Sequence, residues 1–193
     1  MKSVCVFCGS SPGVNGDYLK SARDLGQLLA MRGITTVYGG ASVGIMGAVA
    51  DGALDAGGKV IGVIPEALVS RELAHHGLHE LKVVSTMHQR KAMMSDLSDG
   101  FISLPGGIGT LEELFEVFSW AQLGIHRKPC ALLNAAGYYD RLLDFLDYAV
   151  SQGFVGLNQR ELLLVEEDPE ALLGRMESYQ PPVRDRWMGR RQR

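Results

Sequence analysis

Residues 104–113 read LPGGIGTLEE, a stretch in which three closely spaced glycines follow an apolar run and precede a helix-forming segment. The pattern predicts a strand that ends at Leu104, a glycine loop, and a helix that begins near Thr110. The first four N–H groups of a helix have no intrahelical acceptor and lie at the positive end of its dipole. Because glycines let a ligand approach the backbone closely, the stretch predicts an anion site that needs no lysine.

Two interpretations of Thr110 and Glu113 remain open at this point. A carboxylate at Glu113, in the first helical turn beside an anion site, would suit chemistry on a phosphorylated substrate. The spacing Thr110-x-x-Glu113 also fits a capping box, in which Thr110 is the N-cap and Glu113 reaches back to its amide. A capping box does not account for residues 105–107 or Gly109, whose backbone entropy cost implies compensation elsewhere.

The composition is that of a globular protein with a sizeable core. The chain has 193 residues, of which 46% are hydrophobic and 21% charged, and its length fits one domain. No apolar run approaches the roughly 18 residues of a membrane helix. Residues 1–8 are too short for a signal peptide and predict a first strand instead. We therefore expect a cytoplasmic protein that does not enter a membrane.

The three cysteines fit a reducing compartment. Cys5 and Cys8 have the C-x-x-C spacing of some redox and zinc sites. Successive side chains of a strand point to opposite faces, so positions 5 and 8 should face apart. No second cysteine pair completes a zinc site. We expect both residues to be buried core cysteines.

The charge is unevenly distributed along the chain. Residues 180–193 carry five arginines and one aspartate, a sum of +4, so the remainder carries −7 (−3 minus +4). A basic terminus could contact nucleic acid. An acidic body argues against a nucleic-acid surface, and a solvated flexible tail is the better interpretation of residues 180–193.

Predicted strands and helices alternate along the chain. Strands are expected at residues 4–7, 34–38, 59–64, 81–84, 100–104, 130–134 and 162–165, and helices at 18–31, after 47, at 86–97, 110–123, 138–152 and 168–177, with a helical turn at 66–72. The alternation predicts an α/β fold: a single Rossmann-like domain over residues 1–179, with a doubly wound, mostly parallel sheet and helices on both faces. Ligands of such sheets bind outside the carboxyl ends of the strands. The loops at 9–11, 39–47, 65 and 105–110 should therefore converge on one crevice.

Several common sites do not fit the sequence. The loops after the first two strands lack the G-x-G-x-x-G fingerprint and the following acidic residue of a dinucleotide site. No glycine precedes a Lys-Ser or Lys-Thr pair, which excludes a Walker A loop. His75 and His79 have helical i, i+4 spacing with His76 between them, but the H-x-x-x-H pattern lacks the glutamate of zinc proteases. We expect surface histidines and no metal site.

The glycine motif and its partners resemble the LONELY GUY family of cytokinin-activating phosphoribohydrolases. The motif PGGxGTxxE at 105–113 is accompanied by Arg90-Lys91-x-x-Met94 upstream. Further matches are CGSS at 8–11, YGG at 38–40, GxMG at 44–47 and SWxQLG at 119–124, so that the resemblance covers nearly the whole chain. Members have often been labelled possible lysine decarboxylases, but no lysine here has a recognisable Schiff-base context.

The resemblance implies hydrolysis of the N-glycosidic bond of N6-prenylated AMP, and of AMP itself, to a free base and ribose 5-phosphate. Arg90 and Glu113 match the catalytic pair. The implied substrate-binding residues are Glu72, Arg90, Lys91, Gly107, Ile108, Gly109, Thr110, Leu111, Glu112 and Glu113, with Ser10 and Gly40 in the two other loops. The family is usually dimeric, and Trp120 and Leu123 offer a candidate second face for a homodimer.

The implied reaction agrees with the chemistry of these residue types. Cleavage of a glycosidic bond builds positive charge on the sugar, which an ionised Glu113 could stabilise while it orients water. Arg90 stays protonated at ordinary pH, so it should act as a cation on the phosphate or the departing base. No metal or redox cofactor is needed. The alternative function on the same fold is a non-catalytic carrier of a nucleotide or a molybdopterin-like ligand; a DNA-associated protein is disfavoured by the acidic body.

Overall fold

A computed structural model describes residues 1–69 and 74–181 of the chain. Its strands form one sheet in the order β4-β3-β2-β1-β5-β6-β7, and all neighbouring strands are parallel. The strands are β1 (Ser3–Phe7), β2 (Thr35–Tyr38), β3 (Val60–Pro65), β4 (Glu80–Val84), β5 (Phe101–Ser103), β6 (Cys130–Leu133) and β7 (Leu163–Glu166). The predicted doubly wound α/β fold is confirmed.

Helices cover both faces of the sheet. They are α1 (Gly16–Met31), α2 (Gly44–Asp55), α3 (Glu66–Val69), α4 (Met87–Asp96), α5 (Ile108–Leu123), α6 (Asp140–Ser151), α7 (Leu157–Arg160) and α8 (Pro169–Glu177). Side chains of α1, α2 and α8 pack into the core on one face. Side chains of α4, α5 and α6 pack into the core on the other. Among the described residues, no helix is both long and apolar enough to span a bilayer.

The two cysteines of the C-x-x-C spacing lie on opposite faces of the sheet, as strand alternation predicts. Cys5 belongs to the core beneath α4 and α5, and Cys8 to the core beneath α1 and α2. Both are buried free thiols, and Cys130 is a third. Burial raises the pKa of the Cys130 thiol to about 12, so it is protonated at neutral pH.

The start of α5 corrects the capping-box interpretation. The helix begins at Ile108 with Gly107 as its N-cap, and no side chain caps it. Thr110 is the third helical residue rather than the N-cap, and Glu113 lies in the second turn rather than the first. The reason is tertiary: Thr110 is buried directly beneath Gly106, where a Cβ would come within 2.1 Å of the threonine Oγ1. This contact holds Thr110 inside the first helical turn, two residues after the helix begins.

The apolar spacing in α5 predicts a buried face made of Leu111, Leu114, Phe115 and Phe118, and the observed buried face is rotated from it. The buried residues are Thr110, Glu113, Leu114, Val117 and Phe118, whereas Leu111 and Phe115 are only partly buried. This spacing at i, i+3, i+4, i+7 and i+8 is that of a single helical face. Two polar residues thus occupy core positions of the helix, which apolar periodicity alone does not predict.

Other differences concern short segments and element ends. Helix α7 and a 3-10 turn at Ala135–Gly137 were not predicted, and most predicted ends move by one or two residues. Pro169 is the first residue of α8, as predicted, with Asp168 as its N-cap. Residues 70–73 and 182–193 lie outside the described residues, and with them Glu72 and nearly all of the predicted basic tail.

Candidate active site

A cleft of about 270 Å³ opens at the carboxyl ends of β1 and β5. These two strands are neighbours, but the chain leaves β1 towards β2 and leaves β5 towards β6, on the opposite side. The cleft therefore lies at the switch point where ligands of doubly wound sheets bind. We call it the strand-end cleft; its lining residues are Gly9, Ser10, Ser11, Gly13, Tyr18, Ile45, Pro105, Gly106, Gly107 and Tyr138. The first, second and fourth predicted loop segments thus contribute to it, whereas Pro65 does not.

The N-terminus of α5, with Gly107 as its N-cap, adjoins this cleft. Gly107 lines the cleft, and a Cβ added to Gly107 or Gly109 would meet no protein atom within 4 Å. Helix geometry leaves the N–H groups at positions 108–110 without intrahelical acceptors. Space beside the backbone and unpaired donors at the positive end of the helix dipole are the two requirements of an anion site.

Arg90 and Glu113 form a buried ion pair between α4 and α5. Their side chains are 5% and 7% exposed, and Arg90 Nη1 lies 3.6 Å from Glu113 Oε1. Arg90 Nε donates to the carbonyl of Val63 at 3.0 Å, and Nη2 donates to the carbonyl of Gly39 at 3.2 Å. Two donors thus anchor the guanidinium to the ends of β2 and β3, and the third nitrogen is turned towards the carboxylate. The family resemblance implies that these two residues form a catalytic pair, and their side chains are neighbours in the structure.

Gly39 makes room for this arrangement. A Cβ at Gly39 would lie 2.1 Å from Arg90 Nη2, so only glycine fits while the guanidinium holds its position. Neighbouring Gly40 has φ +83°, a left-handed conformation that L side chains rarely adopt, and its carbonyl accepts from the His75 amide. Gly40 is packed against Ile64 and Leu81 and does not line the strand-end cleft, although it was predicted to bind substrate.

The thiol of Cys8, at the end of β1, is unsuited to nucleophilic catalysis. Burial raises its pKa far above the ordinary range, the charge of Glu113 raises it further, and Arg90 partly offsets the increase. Cys8 is therefore neutral at physiological pH, and thiolate chemistry is absent at this position.

Lys91 and Glu112 form a second pair on the outer side of the same two helices. The Lys91 ammonium hydrogen-bonds to the carboxylates of Glu112 and Glu116. Partial burial lowers the pKa of Lys91, but these hydrogen bonds outweigh it, and the net pKa is raised. Lys91 is thus a fully charged ammonium, the opposite of the lowered pKa that a Schiff-base lysine requires.

The remaining predicted site residues occupy three different environments. Ser10 lines the strand-end cleft. Ile108 is 82% exposed at the first position of α5, whereas Leu111 packs partly into the core.

His75, which was expected to be a surface histidine, has a side chain that is only 12% exposed. Both of its ring nitrogens contact protein: Nε2 lies 3.1 Å from Asp51 Oδ1, and Nδ1 accepts from the Gly77 amide.

Sequence reasoning missed the aromatic wall of the cleft. Tyr18 and Tyr138 line it, and their rings meet edge to face with centroids 5.5 Å apart. Tyr138 follows β6 and therefore lies at the same edge of the sheet as the three glycine loops. The rule that ligands bind at this edge could have identified it. The sequence prediction instead made Tyr138 the first residue of the helix at 138–152, whereas α6 begins at Asp140.

Comparisons with known proteins identify the family. The family model described as possible lysine decarboxylase matches residues 46–176. A probable cytokinin riboside 5'-monophosphate phosphoribohydrolase LOGL5 from Oryza sativa subsp. japonica is 52% identical over 184 residues, which are 95% of this chain and 75% of the relative. The cytokinin riboside 5'-monophosphate phosphoribohydrolase LOG4 from Arabidopsis thaliana is 51% identical over 178 residues, covering 92% of this chain and 83% of the relative.

Solved structures confirm the fold. A molybdenum cofactor carrier protein from Chlamydomonas reinhardtii superposes with a TM-score of 0.69 at 20% identity, covering 92% of this chain and 96% of that one. A molybdenum cofactor binding protein from Rippkaea orientalis gives 0.68 at 24% identity, covering 92% and 97%. At such identities the similarity shows a shared architecture and carries no ligand from those proteins to this chain.

Proposed function

Because this chain belongs to the family whose curated relatives are named cytokinin riboside 5'-monophosphate phosphoribohydrolases, we propose that it hydrolyses the N-glycosidic bond of nucleoside 5'-monophosphates. The substrates are AMP and AMP with an apolar N6 substituent. The products are the free base and ribose 5-phosphate. The reaction is that of an N-glycosyl hydrolase and needs no metal or redox cofactor.

One observation carries the proposal: a carboxylate that is 7% exposed faces a guanidinium that is 5% exposed, in the helix whose N-terminus opens on the strand-end cleft. Burying charged groups is costly, and a buried pair is weak evidence of a purely stabilising role. An adjacent cation favours the charged form of a carboxylate. The Glu113 carboxylate of this ion pair lies in an environment of low dielectric constant, where a negative charge acts strongly on a neighbouring sugar.

The mechanism follows from where the charges lie. The 5'-phosphate binds at the free N–H groups of α5 and at the loop that contains Ser10. Fixing the phosphate places the ribose at the carboxyl edge of the sheet, and this positioning contributes much of the rate. As the bond to the base breaks, the ribose gains oxocarbenium character, which the negative charge of Glu113 stabilises. Water then adds to the anomeric carbon: its oxygen and one proton form the new hydroxyl, and its second proton balances the one that the departing base takes up.

A decarboxylase that uses pyridoxal phosphate does not fit this site. None of the described residues that line the strand-end cleft is a lysine. Lys91, the nearest lysine in sequence to the catalytic pair, is held by Glu112 and Glu116 in its charged form. The chemistry of the described residues supports the hydrolase over the activity in the family description.

Base release from paired substrates tests the proposal. Purified protein is incubated with AMP and with prenylated AMP, and in parallel with the two nucleosides that lack the phosphate. We expect free base from both monophosphates and a turnover at least tenfold lower from the nucleosides. A carrier would bind the monophosphates without release. No base from either monophosphate would contradict the hydrolase.

The active form is proposed to be a cytoplasmic homodimer. Leu123, at the end of α5, is 70% exposed, and nearby Ile125 is 66% exposed, which leaves an apolar surface for a second subunit. Trp120 packs partly into the core and contributes less of this surface than the sequence predicted. Sedimentation should give about twice the chain mass; a particle of 21.0 kDa would contradict the dimer.

A further inference from the structure

Three successive carbonyls of the turn before α5 accept hydrogen bonds from outside the turn. The hydroxyl of Tyr139 donates to the Leu104 carbonyl at 2.6 Å. The amide of Gly9 donates to the Pro105 carbonyl at 3.1 Å. The hydroxyl of Tyr138 donates to the Gly106 carbonyl. Two adjacent tyrosines after β6 therefore hold the first and third of these carbonyls, and the loop after β1 holds the second.

The hydrogen bond to Gly106 matters because of the peptide unit to which its carbonyl belongs. The peptide between Gly106 and Gly107 is planar, so its C=O and its N–H point in opposite directions. Neither glycine has a side chain that restricts rotation of this unit. Both glycines line the strand-end cleft, so rotation of the unit would exchange which of the two groups, the Gly106 carbonyl or the Gly107 N–H, is presented to it. An external donor on the carbonyl selects one of the two orientations.

The loop around Tyr138 is built to hold that donor in place. Ala136 has φ +50°, a conformation that is unfavourable for an L residue and persists where surrounding contacts fix it. The side-chain oxygen of Asn134 accepts from the Tyr139 amide at 2.7 Å. The ring of Tyr139 is buried and meets the ring of Tyr138 edge to face, with centroids 4.9 Å apart.

Tyr138 is the exposed member of the two. Its side chain is 40% exposed and lines the strand-end cleft with Gly106 and Gly107, whereas Tyr139 is 1% exposed. A phenol has one proton to donate, and Tyr138 donates it to the Gly106 carbonyl. An anion in the cleft cannot receive that proton without breaking the existing bond. Tyr138 therefore acts through the peptide rather than on the phosphate.

We propose that Tyr138 is a positioning residue, whose hydroxyl fixes the Gly106–Gly107 peptide so that the donors of the α5 N-terminus face the phosphate of the substrate. The inference rests on the proposed function for the identity of the anion, a phosphate monoester. Tyr139 holds the preceding carbonyl from the core and maintains the loop itself. Nothing in the amino-acid pattern of the glycine motif includes either tyrosine.

Calorimetric titration of Tyr138→Phe with inorganic phosphate and with ribose 5-phosphate tests the proposal without requiring turnover. The variant keeps the ring and removes the donor. Tyr148→Phe is the matched control, because Tyr148 is 59% exposed on α6 and does not line the cleft. We expect Tyr138→Phe to weaken both ligands about fivefold, as for loss of one hydrogen bond, and the control to change neither.

Kinetics with AMP separate positioning from a general structural effect. Tyr138→Phe should raise KM for AMP by about the same fivefold, while kcat and the melting temperature stay close to those of wild type. Unchanged phosphate binding in Tyr138→Phe would overturn the proposal, as would a fall in kcat at constant KM. If wild type binds phosphate but releases no base from AMP, the hydrolase proposal is refuted. The phosphate affinity of Tyr138→Phe then decides the role of Tyr138 independently. Wild type that binds neither phosphate ligand would overturn both.

Discussion

Two glycine-rich loops at the same edge of the sheet use their glycines in opposite ways. In the loop after β2 and the first turn of α2, every glycine at 39, 40, 44 and 47 is pressed against protein: an added Cβ would meet another atom at 2.1 to 3.2 Å. In the loop after β5, only Gly106 is enclosed, and the space beside Gly107 and Gly109 is open. In this first stretch Gly39 packs against Arg90, and the other three glycines pack against backbone or apolar side chains. The second stretch leaves the backbone at Gly107 and Gly109 accessible to a ligand.

The comparison shows why glycine content alone does not identify a binding loop. Both stretches follow apolar strands and precede helices, and sequence reasoning assigned both to one crevice. The structure separates a loop whose Gly39 carbonyl accepts from the Arg90 guanidinium from one that leads into N–H groups without intrahelical acceptors. Substitutions in the first should therefore damage the protein and its chemistry together, whereas substitutions in the second should damage ligand binding alone.

The largest effect is expected from Glu113→Gln, which removes the charge that the first loop indirectly holds in place. The side chain keeps its size, but a neutral amide cannot stabilise a sugar cation, so kcat for AMP should fall about a thousandfold. Binding of ribose 5-phosphate should change less than threefold. Glu170→Gln on α8, an exposed partner of Arg32, provides the control with the same chemical change. Near-normal kcat in Glu113→Gln would mean that the carboxylate is structural.

Gly39→Ala should affect both stability and turnover. The new methyl would overlap Arg90 Nη2, so the guanidinium must move away from Glu113. We expect a stability loss of about 1–3 kcal/mol by overpacking and a loss of about a hundredfold in kcat. Denaturant unfolding measures the stability loss, and steady-state kinetics corrected for the folded fraction measure the loss in kcat.

Gly26→Ala is the matched control for Gly39→Ala. A Cβ at Gly26 in α1 would lie 2.2 Å from the Val49 carbonyl oxygen in α2, so this variant is also overpacked, but far from Arg90. Its folded fraction should turn over AMP at the wild-type rate. If Gly39→Ala also retained normal turnover per folded molecule, the guanidinium would not need its observed position.

Gly107→Ala should weaken ligand binding with little effect on the fold. No protein atom lies within 4 Å of the added Cβ, which would enter the strand-end cleft. The loss of a favoured N-cap residue should cost less than about 1 kcal/mol, while KM for AMP should rise about tenfold. Gly174→Ala in α8, which also meets no protein atom, is the control and should leave KM unchanged. Equal KM values in the two variants would show that the second loop is not part of the site.

The smallest effect concerns stability alone, at His126, which precedes β6. Burial lowers the pKa of its imidazole below the ordinary 6.5, Lys128 lowers it further, and a hydrogen bond to the Val117 carbonyl opposes both. The unfolded chain then binds a proton more readily than the folded chain. The contribution of the neutral His126 ring to the free energy of unfolding therefore has its full value above about pH 6.5 and decreases as the pH falls below it. Unfolding curves from pH 7.5 to 5.5 should show this decrease, and it should be smaller in His126→Phe.

The sequence predicts the fold well because alternating strands and helices of ordinary length leave few arrangements for a parallel sheet. It predicts the position of α5 but not its first residue, because the contact between Thr110 and Gly106 is tertiary and a four-residue capping pattern cannot reveal it. Residue spacing alone cannot distinguish Arg90, on a polar helix, from a solvated cation. Its hydrogen bonds to the carbonyls of Val63 and Gly39 are tertiary contacts that only the structure shows. Tyr138 could not be found by spacing, because its partner is a backbone carbonyl 32 residues away.

The fate of water in the reaction tests the central claim most directly. Wild-type protein and prenylated AMP are incubated in water enriched in ¹⁸O, and the ribose 5-phosphate is reduced at once to prevent exchange and then analysed by mass spectrometry. Hydrolysis of the N-glycosidic bond places one heavy oxygen on the anomeric carbon and none on the phosphate, and it yields one free base for each sugar phosphate. Heavy oxygen in phosphate, or sugar phosphate without base, would contradict the proposed reaction.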